Sequence, residues 1–291
     1  MTEWFSVFWS TYNTLFYTVG VHAMLALSIY LTLSCGLLSL GNAAFAGIGA
    51  YSAAICTMNY NLSFSLALAV GGLLPGAVAL VIGIPTLRLT GVYLAMATLG
   101  FGEVVRVVFL NLEITGGSMG LNGIPLKTTG WHIVFALLLL SYLFVRIRRS
   151  KIGRAFEAIR EDETAARTMG INTPRVKLFA FVLGAVVAGV AGGLNAHYTF
   201  FVSPREYGFD PAVDILTGAM LGGIGSFLGP MAGSSVLALL PELLRSLKDY
   251  RLAVNGLVLI FVVIYLPNGV WDRRLFKRLW ARALRRGGPD A

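Results

Sequence analysis

Charge is what this sequence has least of. No Asp, Glu, Lys or Arg occurs between Glu3 and Arg88, and charged residues make up only 13% of the 291. An average soluble domain carries roughly 25%. A water-soluble fold could not cover its surface over so long a neutral stretch. A lipid-facing fold needs no charge there, because the bilayer replaces water as solvent. A hydrophobic content of 56% and a mean hydropathy of +0.75 agree. The apolar runs are continuous rather than alternating, which argues against a β-barrel.

Other absences narrow the function. The two cysteines, Cys35 and Cys56, both lie in apolar runs. They read as small buried hydrophobes, with no disulfide framework or metal-ligand spacing. His22, His132 and His197 stand far apart, and no Ser/His/Asp, Cys/His or paired-carboxylate arrangement suggests catalysis. There is no GxxxxGK[ST], so the chain has no phosphate-cradling loop of its own. The N-terminus lacks a basic leader region, so the first span is expected to act as its own insertion signal.

What charge there is comes in clusters. Arg146, Arg148, Arg149, Lys151 and Arg154 form one, and Arg273, Arg274, Lys277, Arg278, Arg282, Arg285 and Arg286 form another. The net charge of +9 therefore marks the cytoplasmic flanks of membrane spans rather than nucleic-acid binding. Aromatic residues over Met1–Gly20 suit a headgroup-level segment. Apolar spans are expected at Val21–Leu40, Ala43–Met58, Phe64–Ile84, Leu87–Leu110, Trp131–Ile147, Val176–Phe201 and Leu252–Leu266, with a Gly-rich loop at Asn111–Gly130. The expected class is an all-α polytopic membrane protein, forming one transmembrane domain over residues 1–291 with a basic cytoplasmic tail at 272–291.

Parity sharpens this topology. If both basic clusters are cytoplasmic, the number of full crossings between them is even. The region Ala212–Leu244 must then return to the side it came from. Its glycines Gly222, Gly223, Gly225 and Gly229, with Pro230, predict two half-helices meeting near mid-membrane and entering from the outer side. Broken backbone at that depth lines a cavity or is buried in protein. A single helix with a tight glycine face is the alternative. A similar break is expected in SLGNAAFAGIGAY, Ser39–Tyr51, which places Asn42, Gly47 and Gly49 beside Gly222, Gly223 and Gly225 as candidates for a translocation pathway. Five crossings before the first basic cluster would put the N-terminus outside. In the span around FVLGAVVAGVAGGLNAHY, the small residues, including Gly189 and Gly193, predict close helix packing within or between subunits.

The stretch Arg154–Gly170 is the longest charged, helix-favouring run. On one helix at 100° per residue, Ala155, Ile159, Ala166 and Met169 share a face; Glu157, Arg160, Glu161, Thr164, Arg167 and Thr168 share the other. Glu163 and Arg167 form an i,i+4 pair. Gly170 is placed to end the helix with Ile171 as its apolar contact. Thr173 and Pro174 read as N-cap and first turn of the next span.

Polar residues deeper in the chain are ambiguous. Glu103 and Arg106 lie late in the fourth span, where a helix-orienting pair and a functional intramembrane charge are both consistent. Asn42, Asn195 and His197 suit either a pathway or hydrogen bonds between helices. Asp210 reads as an N-cap before Pro211. Gly116 and Gly117 in ITGGSMGLNGIP, with Arg205 and Glu206, are candidates for an outer mouth or a contact for a binding protein.

The words SLGNAAFAGIGAY, TLRLTGVYLAMATLGFGEVVR, ITGGSMGLNGIP, GRAFEAIREDETAARTMGIN and LGGIGSFLGPMAG, in this order, resemble the integral-membrane permease subunits of bacterial ABC importers for branched-chain amino acids, specifically the M-type subunit. The resemblance covers about Ser39–Asn268. It implies a type II-like ABC importer permease of about eight transmembrane helices, some discontinuous or re-entrant, in the bacterial inner membrane with a cytoplasmic C-terminus. Thr164-Ala165-Ala166 followed by Gly170 matches the spacing of the family's EAA loop, with Thr in place of Glu. Residues 151–172 would then be the coupling helix, with Glu157, Ile159, Arg160, Glu163, Thr164, Ala165, Ala166, Arg167 and Gly170 meeting the ATPase. The implied partners are an H-type permease, two ABC ATPase subunits carrying ATP-Mg, an extracytoplasmic solute-binding protein and membrane lipids, with no nucleic acid and no cofactor in this chain. A urea or amide importer permease is an alternative, and a stand-alone secondary transporter or channel is a more distant one.

Overall fold

Apolar runs uninterrupted by charge become helices, because in lipid every backbone group must find its partner within the segment. The computed structural model describes residues 2–223, 225–243 and 256. Ten α-helices carry most of these: α1 (Thr2–Ser34), α2 (Asn42–Met58), α3 (Phe64–Thr86), α4 (Val92–Asn111), α5 (Gly130–Arg149), α6 (Lys151–Glu161), α7 (Glu163–Thr168), α8 (Thr173–Thr199), α9 (Phe209–Gly222) and α10 (Leu228–Leu243). Two short strands, β1 (Leu121–Asn122) and β2 (Phe201–Val202), pair antiparallel with Leu121 opposite Val202. The expected span Leu252–Leu266, the second basic cluster and the tail 272–291 lie outside the described residues.

Among the described residues, five helices are long and apolar enough to cross a membrane: Asn13–Ser34 within α1, then α3, α4, α5 and α8. The first span thus starts before the expected Val21 and stops at Ser34 rather than Leu40. α2, α9 and α10 are apolar but shorter, at 17, 14 and 16 residues.

The last turn of α5, with Arg146, Arg148 and Arg149, defines a basic end of the bundle. α1 runs toward it. The Tyr198 hydroxyl, near the end of α8, donates to Thr14 Oγ1 at the far end. After α1, Gly36 lies against the backbone of Arg160 in α6.

The early break comes before the position the glycines suggest. Residues 35–41 carry no helix, whereas Gly47 and Gly49 sit inside the regular helix α2. The non-helical backbone is satisfied from within the protein. Leu37 N–H donates to Thr32 O (2.9 Å), Leu40 N–H to the buried Thr98 Oγ1 (2.9 Å) and Gly41 N–H to Ser39 Oγ (3.3 Å). That is the condition on which irregular backbone survives away from water.

α8 is the central post, packed on α1, α2 and α3. Its small residues set the distance. A Cβ on Gly184 would lie 2.9 Å from Ser28 O of α1; one on Gly189 would overlap the backbone of Gly71 and the ring of Pro75 in α3; one on Gly192 would overlap Ala46 O of α2. Gly49 of α2 in turn has no room for a Cβ against Gly189. The glycine pattern in α8 thus serves contacts within the chain. It brings helix backbones close enough for dispersion to replace the missing hydrophobic drive. Asn42, at the start of α2, donates Nδ2–H to Ser28 Oγ (2.9 Å) and is buried.

α9 and α10 form a hairpin. A Cβ on Gly222 would overlap the Gly229 carbonyl oxygen, and one on Gly218 would come within 2.9 Å of Ser234 Cα. Ser234 Oγ donates to His22 O at 2.9 Å, fixing α10 on α1. Two short helices around a glycine break therefore occur, as the sequence predicts. Their turn, however, touches Arg148, whose Nη2 donates to Gly225 O (3.3 Å). It lies toward the basic end rather than half-way along the bundle, and Met231, in the first turn of α10, reaches Ser141 near the middle of α5.

Candidate functional site

The charged stretch at the basic end is two helices, where the sequence periodicity predicts one of about four turns. Ser150 Oγ accepts from Ile152 N–H and Gly153 N–H to start α6. Asp162 then breaks the helix with an extended backbone (φ −156°, ψ 111°) and caps α7. Its Oδ1 accepts from Thr164 N–H (2.8 Å), Ala165 N–H (3.1 Å) and Thr164 Oγ1–H (2.6 Å). These bonds, the Thr164 hydroxyl first, hold the Asp162 carboxyl below its ordinary range. Thr164, standing where the EAA pattern has Glu, is therefore part of the cap.

The break resets the helical phase. Phe156, Ile159 and Ala166 are buried, packed with Tyr30, Leu31 and Phe144. Ala155 is only half-buried and Met169 is 83% exposed, so the single-helix face predicted through both does not form. Glu157, Arg160, Thr164, Ala165 and Arg167 are exposed. Glu161 ends α6, where Arg160 approaches it at 3.6 Å.

Two linkages tie this element to α8. Gly170, at φ +83°, closes α7. Its N–H donates to Arg167 O (3.0 Å), and Ile171 N–H to Ala166 O (3.1 Å). That paired pattern needs a left-handed residue, which glycine adopts without a Cβ clash. Next to it lies a polar cluster. Glu163 accepts from Arg167 Nη2 (2.8 Å), from Thr173 Oγ1 (3.1 Å) and from the buried Lys177 Nζ of α8. Arg167 Nε donates to Thr173 Oγ1 (2.9 Å). Thr173 therefore serves the cluster rather than capping α8. The cap is Asn172, whose Oδ1 accepts from Arg175 N–H (3.3 Å). Burial pushes the Glu163 carboxyl up, but the bonds from Lys177, Arg167 and Thr173 outweigh it and hold it below its ordinary range. Lys177 is the site residue that sequence reasoning passed over. A lysine early in an apolar span, a few turns past an acidic helix, was the available signal.

At the far end the loops converge. Gly116 and Gly117, both left-handed, shape the turns that lead to β1, and β2 follows α8 directly. Glu103 Oε2 accepts from Arg106 Nε (2.7 Å), and its Oε1 accepts from Phe209 N–H (3.0 Å). α9 is therefore capped from α4, with Gly208 at the N-cap position and Asp210 inside the first turn instead of at the cap.

Beneath these loops a cavity of about 330 Å³ opens between α1, α2, α8, α9 and the 3₁₀ turn Pro204–Tyr207. Glu206 lines it and Arg205 does not. Glu206 is solvent-accessible, yet partial burial of its carboxyl among the surrounding protein pushes it up from its ordinary range. Among the sequence-predicted pathway residues, Asn42, Gly47 and Gly49 do not line the cavity. Gly47 makes room for the Tyr207 ring, whose Cγ would lie 2.8 Å from a Cβ there. Gly222, Gly223 and Gly225 belong to the hairpin, not to the cavity wall. Tyr17, His22, Tyr198 and Tyr207, which no sequence pattern singles out for it, are in the wall. Among the described residues no group of His, Cys, Asp or Glu comes together as a metal site.

Comparison with known proteins bears on both ends. A family model described as "Branched-chain amino acid transport system / permease component" matches residues 11–263. The chain is 37% identical to the high-affinity branched-chain amino acid transport permease LivM of Escherichia coli K12, over 84% of this chain and 66% of that protein. It is 36% identical to LivH of the same organism over 49% of this chain and 46% of that one. It is 31% identical to BraD of Pseudomonas aeruginosa over 54% and 52%. The chain spans just under two thirds of the length of the M-type relatives it matches. No solved structure matches it. The chain belongs to the branched-chain amino acid transport permease family.

Proposed function

We propose that this family member is one permease subunit of an ATP-driven importer that passes branched-chain or related small amino acids from a binding protein to the cytoplasm. The observation that carries the reading is the rigid α6–α7 element. It is capped at both ends of α7, anchored to α8 through Glu163 and Lys177, and it leaves Met169 and a charged face open at the basic end. A solvated linker needs no such anchoring, whereas an element that must carry a push from a partner to the spans does.

In this reading the basic end faces the cytoplasm and α6–α7 docks on an ATPase subunit. ATP-Mg is bound and hydrolysed on two separate ATPase subunits, and an H-type permease completes the pathway. The C-terminal tail is cytoplasmic, in the bacterial inner membrane. The α9–α10 hairpin enters and leaves from the outer side. The loops around Gly116, Gly117 and Arg205 receive the binding protein, while Glu206 faces the cavity beneath them.

The test is uptake by proteoliposomes that hold this chain with a second permease, two ATPases and a binding protein. Labelled leucine should accumulate only with ATP on the ATPase side. Flux driven by an ion gradient through this chain alone would overturn the reading.

A further inference from the structure

The cavity under the outer loops has two unlike walls. Val21, Leu25 and Ile215 supply an aliphatic side; His22, Asn195, Glu206 and Asp214 supply a polar one. The two carboxylates come from different elements, the 3₁₀ turn and α9, and no Lys or Arg lines the wall. Arg106, which lies against Gly208 at the start of α9, is already held by Glu103. Glu206 and Asp214 have no ion pair among the described residues. Tyr207, also in the wall, is 5% exposed, and among the described residues its hydroxyl makes no sound hydrogen bond, although the Asn195 side chain approaches it. A buried hydroxyl without a partner is uncommon, because leaving it so costs about 1–3 kcal/mol. At about 330 Å³ the volume falls in the range of small-ligand pockets, roughly 300–1,000 Å³.

We infer that this cavity is a binding chamber for the amino acid on its way in, with Glu206 and Asp214 facing its ammonium group and Val21, Leu25 and Ile215 taking its aliphatic side chain. The inference rests on the importer reading above and names where in this chain the solute is held. The chemistry follows from the wall. An ammonium group supplies the positive charge that two unpaired carboxylates lack, and a branched aliphatic chain fits the opposite side without leaving a polar group unpaired.

The experiment uses the whole reconstituted complex with its binding protein. Wild-type uptake of leucine comes first: its absence sinks the importer reading itself, not the chamber alone. Given wild-type uptake, Glu206→Gln and Asp214→Asn should each lower the leucine rate by about threefold or more, because both carboxylates are exposed and solvent screening limits what each charge contributes. Glu206→Asp should recover part of it, and Asp210→Asn, an exposed carboxylate in the first turn of α9 that does not line the cavity, should match wild type. Rates for Glu206→Gln and Asp214→Asn within twofold of wild type overturn the inference while leaving the importer intact. A second measurement needs no variant, so it does not depend on folding. In excess on the outer side, isoamylamine, which keeps the ammonium, should inhibit uptake more strongly than isocaproate, which keeps the carboxylate. Equal or reversed inhibition overturns the inference.

Discussion

Glu163 and Lys177 are 14 residues apart in sequence, in different helices, and are joined by a direct carboxylate–ammonium contact. The lysine side chain is only 8% exposed and the glutamate 26%. The relationship is asymmetric. Glu163 keeps Arg167 and Thr173 if the lysine is lost. Lys177 has no other acceptor in the salt bridges or side-chain hydrogen bonds of the described residues.

Glu163→Gln should therefore be the worse substitution. It strands a buried ammonium, at a cost near the lower end of the roughly 3–5 kcal/mol typical of such breaks. Lys177→Met should cost less, and the double variant should recover much of the Glu163→Gln loss. Thermal unfolding of the four proteins, analysed as a double-mutant cycle, checks this. Additive losses would mean that the pair does not anchor α7.

Acid should act on the same contact. Glu163 is held below its ordinary carboxylate range, so its contribution is fully present above the unfolded-state pKa and is lost as pH falls through the lower folded-state value. Docking of α6–α7 should thus persist through neutral pH and weaken only below the ordinary glutamate range. Hydrogen exchange of the α7 amides as a function of pH measures it; because the Asp162 cap is also held below its ordinary range, the acid step should shrink in Glu163→Gln and vanish only when Asp162→Asn is added.

The glycines of the hairpin divide into two kinds. Gly222→Ala puts a methyl onto the Gly229 carbonyl and should separate α9 from α10, with uptake falling by about tenfold or more. Gly225→Ala meets nothing within 4 Å and should transport normally. Labelled uptake on the two variants, normalised to membrane content, decides between a packing role and a pathway-lining role for each.

At the end of α7, Gly170→Ala meets open space but keeps the strained left-handed backbone, costing about 1 kcal/mol. Gly170→Pro removes the N–H that bonds Arg167 O and forbids that φ, so it should break the cap. Ala166→Arg forces a charge into the cluster with Phe156 and Ile159. Both should leave the chain in the membrane and cut ATP-coupled uptake; normal transport by either would remove the coupling role from α6–α7.

Much of the fold was legible because its causes are local. Continuous apolar runs gave α3, α4, α5 and α8 within a few residues, and Gly170 with Ile171 announced its own cap. The errors have a common cause. Asp162 breaks one apparent helix into two through a cap that competes with helix continuation, and periodicity taken across it assigned Met169 to the wrong face. The early break was expected within Ser39–Tyr51, and the non-helical residues 35–41 overlap only its start, ahead of Gly47 and Gly49. In this bundle those glycines are helical, and their lack of a Cβ serves Tyr207 and Gly189.

By itself, then, the sequence determined what needs no partner from afar: a membrane-buried, all-helical chain, a basic end, a charged element there and a glycine break near Gly222. The tertiary structure decided what depends on groups distant in sequence. Glu103 caps α9, Lys177 anchors α7, Thr98 supports the unwound stretch before α2, and Glu206 and Asp214 line one cavity from different elements. The reason is physical. Hydrogen bonding along one helix is fixed by neighbours in the chain, whereas a buried charge or an open carbonyl is satisfied by whichever helix packing brings within about 3 Å.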